Sequence, residues 1–405
     1  MNSADIVWVL ISSALVMLMT PAVGLFYGGM VRRKNLLSTF TMCFVTVALI
    51  SIEWVLYGYS LSFGKGNGFI GGFKWVLFNN VGLNANSHYA SNIPHLLFAI
   101  FQMMFAIITP SLIVGAFVER IKFSSFVIFT LLWSTIVYNP VAHWVWSTDG
   151  FLRKLGSLDF AGGTVVHITA GVSALAMSLV IRKRIGFGKI TIEPNNIPFT
   201  IIGAVLLWFG WFGFNGGSSL AANGIGVNAF LTTNVAAASA ALSWMVISWI
   251  RRRPSAIGIA TGAVVGLVAI TPAAGYVDVK WAIVIGAIAS IISYYFILLR
   301  EKLELDESLD VWACHGMGGT WGAIATGIFA SKAVNPAGAD GLIYGNYKLF
   351  FVQILSVIIS WAFSFIVTFI LAKVIDKTIG LAVKREEEVV GLDISQHGEE
   401  AYGGI

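Results

Sequence analysis

The chain has 405 residues, of which 57% are hydrophobic and only 11% charged. That excludes a soluble globular fold, because a protein of this size has too little interior to hide so much apolar surface. The net charge of +5 sits on separate short loops, which excludes a nucleic-acid-binding patch.

Runs long enough to span hydrocarbon recur along the whole chain. They fall at 6–28, 39–62, 94–118, 124–146, 162–181, 197–214, 227–250, 256–273, 281–299, 310–330 and 348–374. The pattern predicts an all-α polytopic membrane protein of eleven transmembrane helices. The first run is preceded by Asp5 instead of a basic cluster and followed by Arg32-Arg33-Lys34, so it is read as a span and not a signal peptide. Basic residues favour the cytoplasm, which places the N-terminus outside. Alternate loops then carry Arg120/Lys122, Arg182-Lys183-Arg184/Lys189, Arg251-Arg252-Arg253, Arg300/Lys302 and the basic residues after span eleven. With the first cluster and Lys373 at the end of span eleven these hold 18 of the 25 Lys and Arg, an asymmetry that agrees with a cytoplasmic C-terminus. Cys43 and Cys314 both lie within spans and form no disulfide framework.

Spans one to five and six to ten read as an inverted repeat, with halves at about 1–185 and 197–330. Span one ends near Phe26-Tyr27-Gly28-Gly29 and span six near Phe212-Gly-Phe214-Asn215-Gly216-Gly217. An odd number of spans per half turns the halves against each other, as in transporters whose site lies at the repeat interface. Span eleven, 348–374, has no counterpart and is expected to pack on the outside. The 43 glycines concentrate within spans, as at Gly203, Gly210, Gly213, Gly318-Gly319 and Gly322, where small residues let helices approach closely. From 375 to 405 the chain turns polar and is read as a cytoplasmic tail.

Two histidines carry the functional signal. Asp159-Phe-Ala-Gly-Gly-Thr-Val-Val-His167 opens span five, and Asp310-Val-Trp-Ala-Cys-His315-Gly-Met-Gly-Gly-Thr320 opens span ten. An ionisable group at membrane depth marks a functional site by default. One such histidine reads as a structural hydrogen-bonding group, but two placed alike in two halves suggest one shared site. A neutral imidazole has one donor and one acceptor nitrogen. Two rings meeting edge to edge would share a proton and turn polar edges towards a narrow pore. Depth is harder to match: His167 lies about 22 Å from Arg182 along a helix, whereas His315 is only a few residues into span ten. A helix that begins earlier, or a break near Gly316, must reconcile them.

Three further stretches complete a pattern: Phe101-Gln102-Met-Met-Phe105 running to Gly115-Ala-Phe-Val-Glu-Arg-Ile-Lys-Phe123, Trp211-Phe-Gly-Phe214-Asn215-Gly-Gly-Ser218, and the tail Gly391-Leu-Asp-Ile-Ser-Gln-His-Gly-Glu-Glu-Ala-Tyr402. Together with the two Asp-to-His motifs they resemble the ammonium transporter/methylammonium permease/Rhesus family over nearly the whole chain, in the right order. The resemblance implies transport of ammonium or ammonia, with methylammonium as a possible second cargo. It implies that His167 and His315 are the twin pore histidines. It makes Trp146, Phe105 and Ser218 the outer recruitment site, Phe105 and Phe214 a stacked gate, and Phe101 and Trp211 vestibule or pore-wall residues. Aromatic faces attract cations, and a dry aromatic constriction opposes hydrated ions. Taken singly, each of these residues reads as packing or interface-belt aromatic. The resemblance also implies a homotrimer in the plasma or inner membrane, and a cytoplasmic tail that can dock a PII signalling protein.

Asp159 stands just before span five and is read as an N-cap that also stabilises a cation in the vestibule at long range. Asp310, taken as its repeat counterpart, is expected to cap span ten. Metal binding is the rival use of these groups. Adjacent Cys314 and His315 point about 100° apart on a helix, and no third ligand has metal-site spacing, so neither metal nor cofactor is expected. His88, His95 and His143 read as ordinary surface or interface residues. No catalytic triad or phosphate loop is present, so the chain reads as a transporter and not an enzyme. The alternatives are a Rhesus-like neutral-gas channel, against which the Trp146/Ser218 mouth argues, and an ammonium sensor, for which the short tail leaves no signalling domain.

Overall fold

The computed structural model describes residues 1–251 and 253–403. Arg252 of the basic cluster and the tail's Gly404 and Ile405 lie outside the described residues. In lipid every backbone polar group must be paired within the chain, which leaves the apolar runs no stable form but the helix. They fold as α1 (Ser3–Met30), α2 (Arg33–Phe63), α3 (His95–Phe117), α4 (Phe123–Leu155), α5 (Gly163–Val180), α6 (Ile197–Ser219), α7 (Gly224–Arg251), α8 (Ala256–Ile270), α9 (Val279–Lys302), α10 (312–329) and α11 (Tyr347–Thr378). Among the described residues nine of these are long and apolar enough to cross a membrane. The shorter α8 and α10 occupy the other two expected positions. Polar caps start several of them: Asn2 accepts from Ala4 N–H at 2.9 Å, Asn196 from Phe199 at 3.1 Å and Ser255 from Gly258 at 3.0 Å, each satisfying an orphan donor.

The helices pair as an inverted repeat requires, first with first and fifth with fifth. On α6, a Cβ at Gly203 would stand 2.4 Å from the Phe26 backbone nitrogen of α1. On α5, a Cβ at Gly171 would stand 2.0 Å from the Gly316 nitrogen of α10. Only glycine permits those approaches, so the packing prediction for small residues holds at both crossings. The eleventh helix lies outside, as expected. It is pinned by Gln353, which bonds Leu158 N–H and the carbonyls of Leu158 and Ala323, while Phe351 and Ile358 are exposed on its other side.

The basic loops gather on one face, opposite the N-terminus, where Asn2 N–H bonds Asn92 O. Here Glu119 takes Arg32 Nε at 2.9 Å and Arg184 Nη1 at 2.8 Å, and Asp306 takes Arg184 Nη2 at 2.7 Å. Burial alone would raise the Glu119 carboxyl, but Arg184 and Arg32 pull it below the usual carboxylate range. Removing one partner of such a buried set costs about 3–5 kcal/mol.

The tail is not loosely solvated. It forms α12 (Arg385–Val390) and a π-helical turn, Asp393–His397. Glu388 accepts from Arg182 at 2.5 Å and from Ile185 N–H at 2.6 Å, and Asp393 accepts from the Leu37 and Ser38 N–H groups at 3.1 and 2.7 Å. The α2–α3 connection holds a short hairpin, Ala85–Asn86 with Ala90–Pro94, that hydropathy gave no sign of.

Candidate functional site

The site is assembled at the starts of α5 and α10, both of which begin inside the protein. Asp159 is buried, and its two oxygens accept four backbone N–H groups. Oδ1 takes Gly162 and Gly163 at 2.8 and 2.7 Å, and Oδ2 takes Thr164 and Val165 at 2.8 and 3.1 Å. All four orphan donors of a helix N-terminus are thereby paired. Gly162, at φ +116°, makes the turn, and a π-helical segment, Gly163–Ile168, then carries His167.

On the second half the expectation for Asp310 is overturned. Asp310 is left-handed (φ +58°) and faces Arg300 Nε at 2.6 Å across from α9. The cap comes from Glu307, whose Oε1 accepts Trp312 N–H at 2.9 Å. The chain carried the clue: Asp159 precedes His167 by eight residues and Glu307 precedes His315 by eight, whereas Asp310 precedes it by five. His315 then lies on the matching π-helical segment, Trp312–Met317. The depths agree because each histidine sits near the start of a buried helix, with a π turn at Gly316 in place of a break.

Burial pushes the Glu307 carboxyl up to about 8, with the Asp310 charge adding to it. From its ordinary value of 4.5 up to about 8, the folded chain therefore holds a proton that the unfolded chain releases, and stability falls as pH rises through that window. Glu307→Gln keeps an acceptor for Trp312 and removes the ionisation. The melting temperature of the purified variant is expected to fall less than that of the parent across that window. Glu307→Ala, lacking the cap, should be destabilised by about 1–2 kcal/mol at every pH.

His167 Nδ1 and His315 Nδ1 stand 3.3 Å apart, so the two rings are brought together as predicted. At that separation one ring donates and the other accepts. His167 packs against both Trp211 (5.4 Å, 26°) and Phe214 (5.9 Å, 21°), whose centroids stand 5.3 Å apart. The Trp211 indole is locked by a 2.9 Å bond to Thr271 Oγ1. Phe214 in turn meets Phe105 at 4.5 Å, and Phe105 meets Trp146 edge-on at 5.7 Å. Trp146 donates its Nε1–H to Asp159 O at 3.0 Å, so the residue that caps α5 also fixes this indole. Ser218 donates to Phe214 O at 2.8 Å, which leaves its hydroxyl lone pairs free to accept.

A cavity of about 160 Å³ opens on the N-terminal face, lined by Gln102, Phe105, Trp146, Arg153, Phe160 and Ser218 among others. A second, of about 480 Å³, opens on the basic face and reaches His315, Cys314, Tyr27 and Asp310. Phe105, Phe214 and the histidines lie between the two. Phe101 is fully buried behind Phe105, at 4.9 Å, and belongs to the wall's second layer.

Sequence reasoning gave no role to Gln102, Phe160 or Arg153. Gln102 was within reach, since it lies three residues before Phe105 on one helical face. His95 and His143 are buried and not surface residues: His95 Nε2 meets Tyr59 Oη at 2.6 Å, and the His143 ring nitrogens meet Ser62 O and Asn67 O at 3.0 and 2.7 Å. Both pin the α2–α3 connection. His88 is exposed, as expected.

Chemically, two solvent-reaching cavities face each other across an aromatic constriction and a pair of proton-sharing rings. An aromatic face and a free hydroxyl acceptor suit a small cation in the cavity on the N-terminal face, and the aromatic constriction opposes hydrated ions. The model of the Ammonium Transporter Family matches residues 7–402. The chain is 51% identical over 403 residues to the ammonium transporter Amt1 of Archaeoglobus fulgidus, covering 99% of this chain and 100% of that one. It is 46% identical over 404 residues to the ammonium transporter of Bacillus subtilis, covering 99% of each. The crystal structure of Saccharomyces cerevisiae Mep2 superposes with a TM-score of 0.90 at 37% identity, covering 96% of this chain and 89% of that one. With the motifs, the inverted halves and the paired histidines in place, this chain belongs to the Ammonium Transporter Family.

Proposed function

We propose that the chain moves ammonium inward across the cell membrane, from a recruitment site at Trp146, Phe105 and Ser218 past the Phe105/Phe214 gate to His167 and His315. The observation that carries this reading is the unbroken line of contacts from the outer cavity through Phe105, Phe214 and His167 to His315 at the inner one. Ammonium trades water for the Trp146 face and the Ser218 hydroxyl and gives a proton to water of the outer cavity before the aromatic constriction. Ammonia passes the histidines by donating and accepting in turn, and a current requires that the released proton cross as well. Methylammonium would follow the same path. The N-terminal face is outside and the basic face cytoplasmic, on the distribution of Lys and Arg. Residues 1–374 form the transport domain of a homotrimer, and the docked tail regulates it, with PII as its partner. Copurification of PII with the whole chain but not with one ended after Lys384, and the particle mass in nanodiscs, check the last two points.

The deciding test is current on a solid-supported membrane after an ammonium jump, for the wild type and a His167→Ala/His315→Ala double variant. The variant is expected to lose current at least about ten-fold, or about 1.4 kcal/mol of barrier, or to admit potassium. Wild-type behaviour in the variant would sink the histidine path. No wild-type current, with ammonia driving pH changes in the same vesicles, would favour a neutral-gas channel.

A further inference from the structure

The outer cavity is built for a cation in every respect but one. Arg153 is the charged residue among its lining side chains, and it carries the same sign as the proposed cargo. It stands on the short helical turn Phe151–Leu155 at the C-terminal end of α4, and its Nη1 donates to the Trp146 carbonyl. That bond ties the guanidinium to the residue whose ring faces the cavity. Two nearby carboxylates oppose the charge without pairing with it. Asp149 pairs with Lys154 at 3.7 Å, and both Asp159 oxygens are occupied by the α5 amides. Among the described residues no carboxylate pairs with Arg153. At the Tyr89 hydroxyl, which also lines the cavity, Arg153 and Asp149 pull in opposite directions.

We infer that Arg153 is a charge threshold at the outer mouth, weakening the capture of every cation in proportion to its charge. Ammonium passes the threshold because it recovers a cation–π contact with Trp146 and a hydrogen bond to Ser218. A divalent or fully hydrated ion gains neither, and a divalent ion meets twice the repulsion. This deepens the recruitment reading above and rests on it. The guanidinium is solvent-exposed, so the effect is modest: about three-fold in half-saturation for a monovalent ion and about ten-fold for a divalent one, at separations near 6 Å in water. Salt must weaken it, because the Debye length falls from about 30 Å at 0.01 M to about 8 Å at physiological ionic strength.

The test is the half-saturating ammonium concentration for current in proteoliposomes, at low and high ionic strength set with an impermeant organic salt. In the wild type, half-saturation should fall as salt rises. Arg153→Gln should lower it about three-fold at low salt and abolish the salt response, and Arg153→Lys should restore both. An Arg153→Gln protein with wild-type half-saturation and salt response would overturn the threshold. A loss of current that lysine does not rescue, with salt response intact, would also overturn it, leaving Arg153 as a tether for the Trp146 carbonyl. Trp146→Leu separates this from failure of recruitment itself. If recruitment fails, Trp146→Leu leaves half-saturation unchanged; if only the threshold fails, Trp146→Leu raises it while Arg153→Gln does nothing.

Discussion

Asp159→Ala is expected to abolish ammonium transport and to lower the melting temperature more than any other single change at the site. Four backbone donors lose their acceptor at once, in a segment where Gly162, Gly163, Thr164 and Val165 are all buried. A buried donor left unpaired costs about 1–3 kcal/mol, so even partial rescue by water leaves a loss on the order of 4 kcal/mol or more. The effect would spread to the pore, because the same turn presents His167 and the Asp159 carbonyl holds Trp146. Asp159→Asn keeps one carbonyl oxygen, enough for two of the four amides, and should fall between alanine and wild type. Thermal melting in detergent and transport in proteoliposomes check both. An alanine variant melting within a degree or so of the wild type would show that the carboxylate is not what organises α5.

Gly171→Ala carries the second large effect, and its sign is the informative part. In an ordinary helix, glycine to alanine is stabilising by about 0.8–1.0 kcal/mol. Here the new Cβ would stand 2.0 Å from the Gly316 nitrogen and 2.4 Å from its Cα, against backbone that cannot move aside. Overpacking costs about 1–3 kcal/mol, so the balance turns unfavourable. The helices α5 and α10 must separate, and the 3.3 Å contact between His167 and His315 widens with them. Transport is expected to fall at least ten-fold, a barrier increase of about 1.4 kcal/mol, while Gly224→Ala, with nothing within 4 Å of its Cβ, stays near wild type. Wild-type transport by the Gly171 variant would mean that the crossing is not held at its present distance.

The two predictions differ in how far the chain alone foretold them. Asp159 was legible as a cap because capping is local: a carboxylate a few residues before a helix reaches its amides whatever the rest of the fold does. The same logic applied to Asp310 failed. Its left-handed backbone and its pairing with Arg300 of α9 are tertiary facts, and Glu307 had taken its place at the equivalent spacing. Gly171 and Gly316 were two glycines among 43, and nothing local marks which of them meet across a crossing. His95 and His143 misled for a related reason. They lie near the loops at the ends of their helices, but the α2–α3 connection folds over them and their partners are distant carbonyl and hydroxyl groups. Arg153 stood in a connecting stretch with no periodicity to read, and only the folded turn sets it at the cavity mouth.

The sequence by itself determined that the chain is helical and membrane-spanning, that its basic loops share one face, and that two histidine-bearing segments open the fifth spans of two inverted halves. These follow from composition, run length and alternation, because hydrocarbon leaves an apolar backbone no other way to pair its polar groups. The tertiary structure alone decided that His167 and His315 touch, that Phe101 stands behind Phe105 instead of facing the cavity, that Glu307 rather than Asp310 caps α10, and that the tail is docked by Glu388 and Asp393. The histidine contact and the docked tail depend on which helix faces meet. That is fixed by close packing between segments more than a hundred residues apart, a contact that no local pattern encodes.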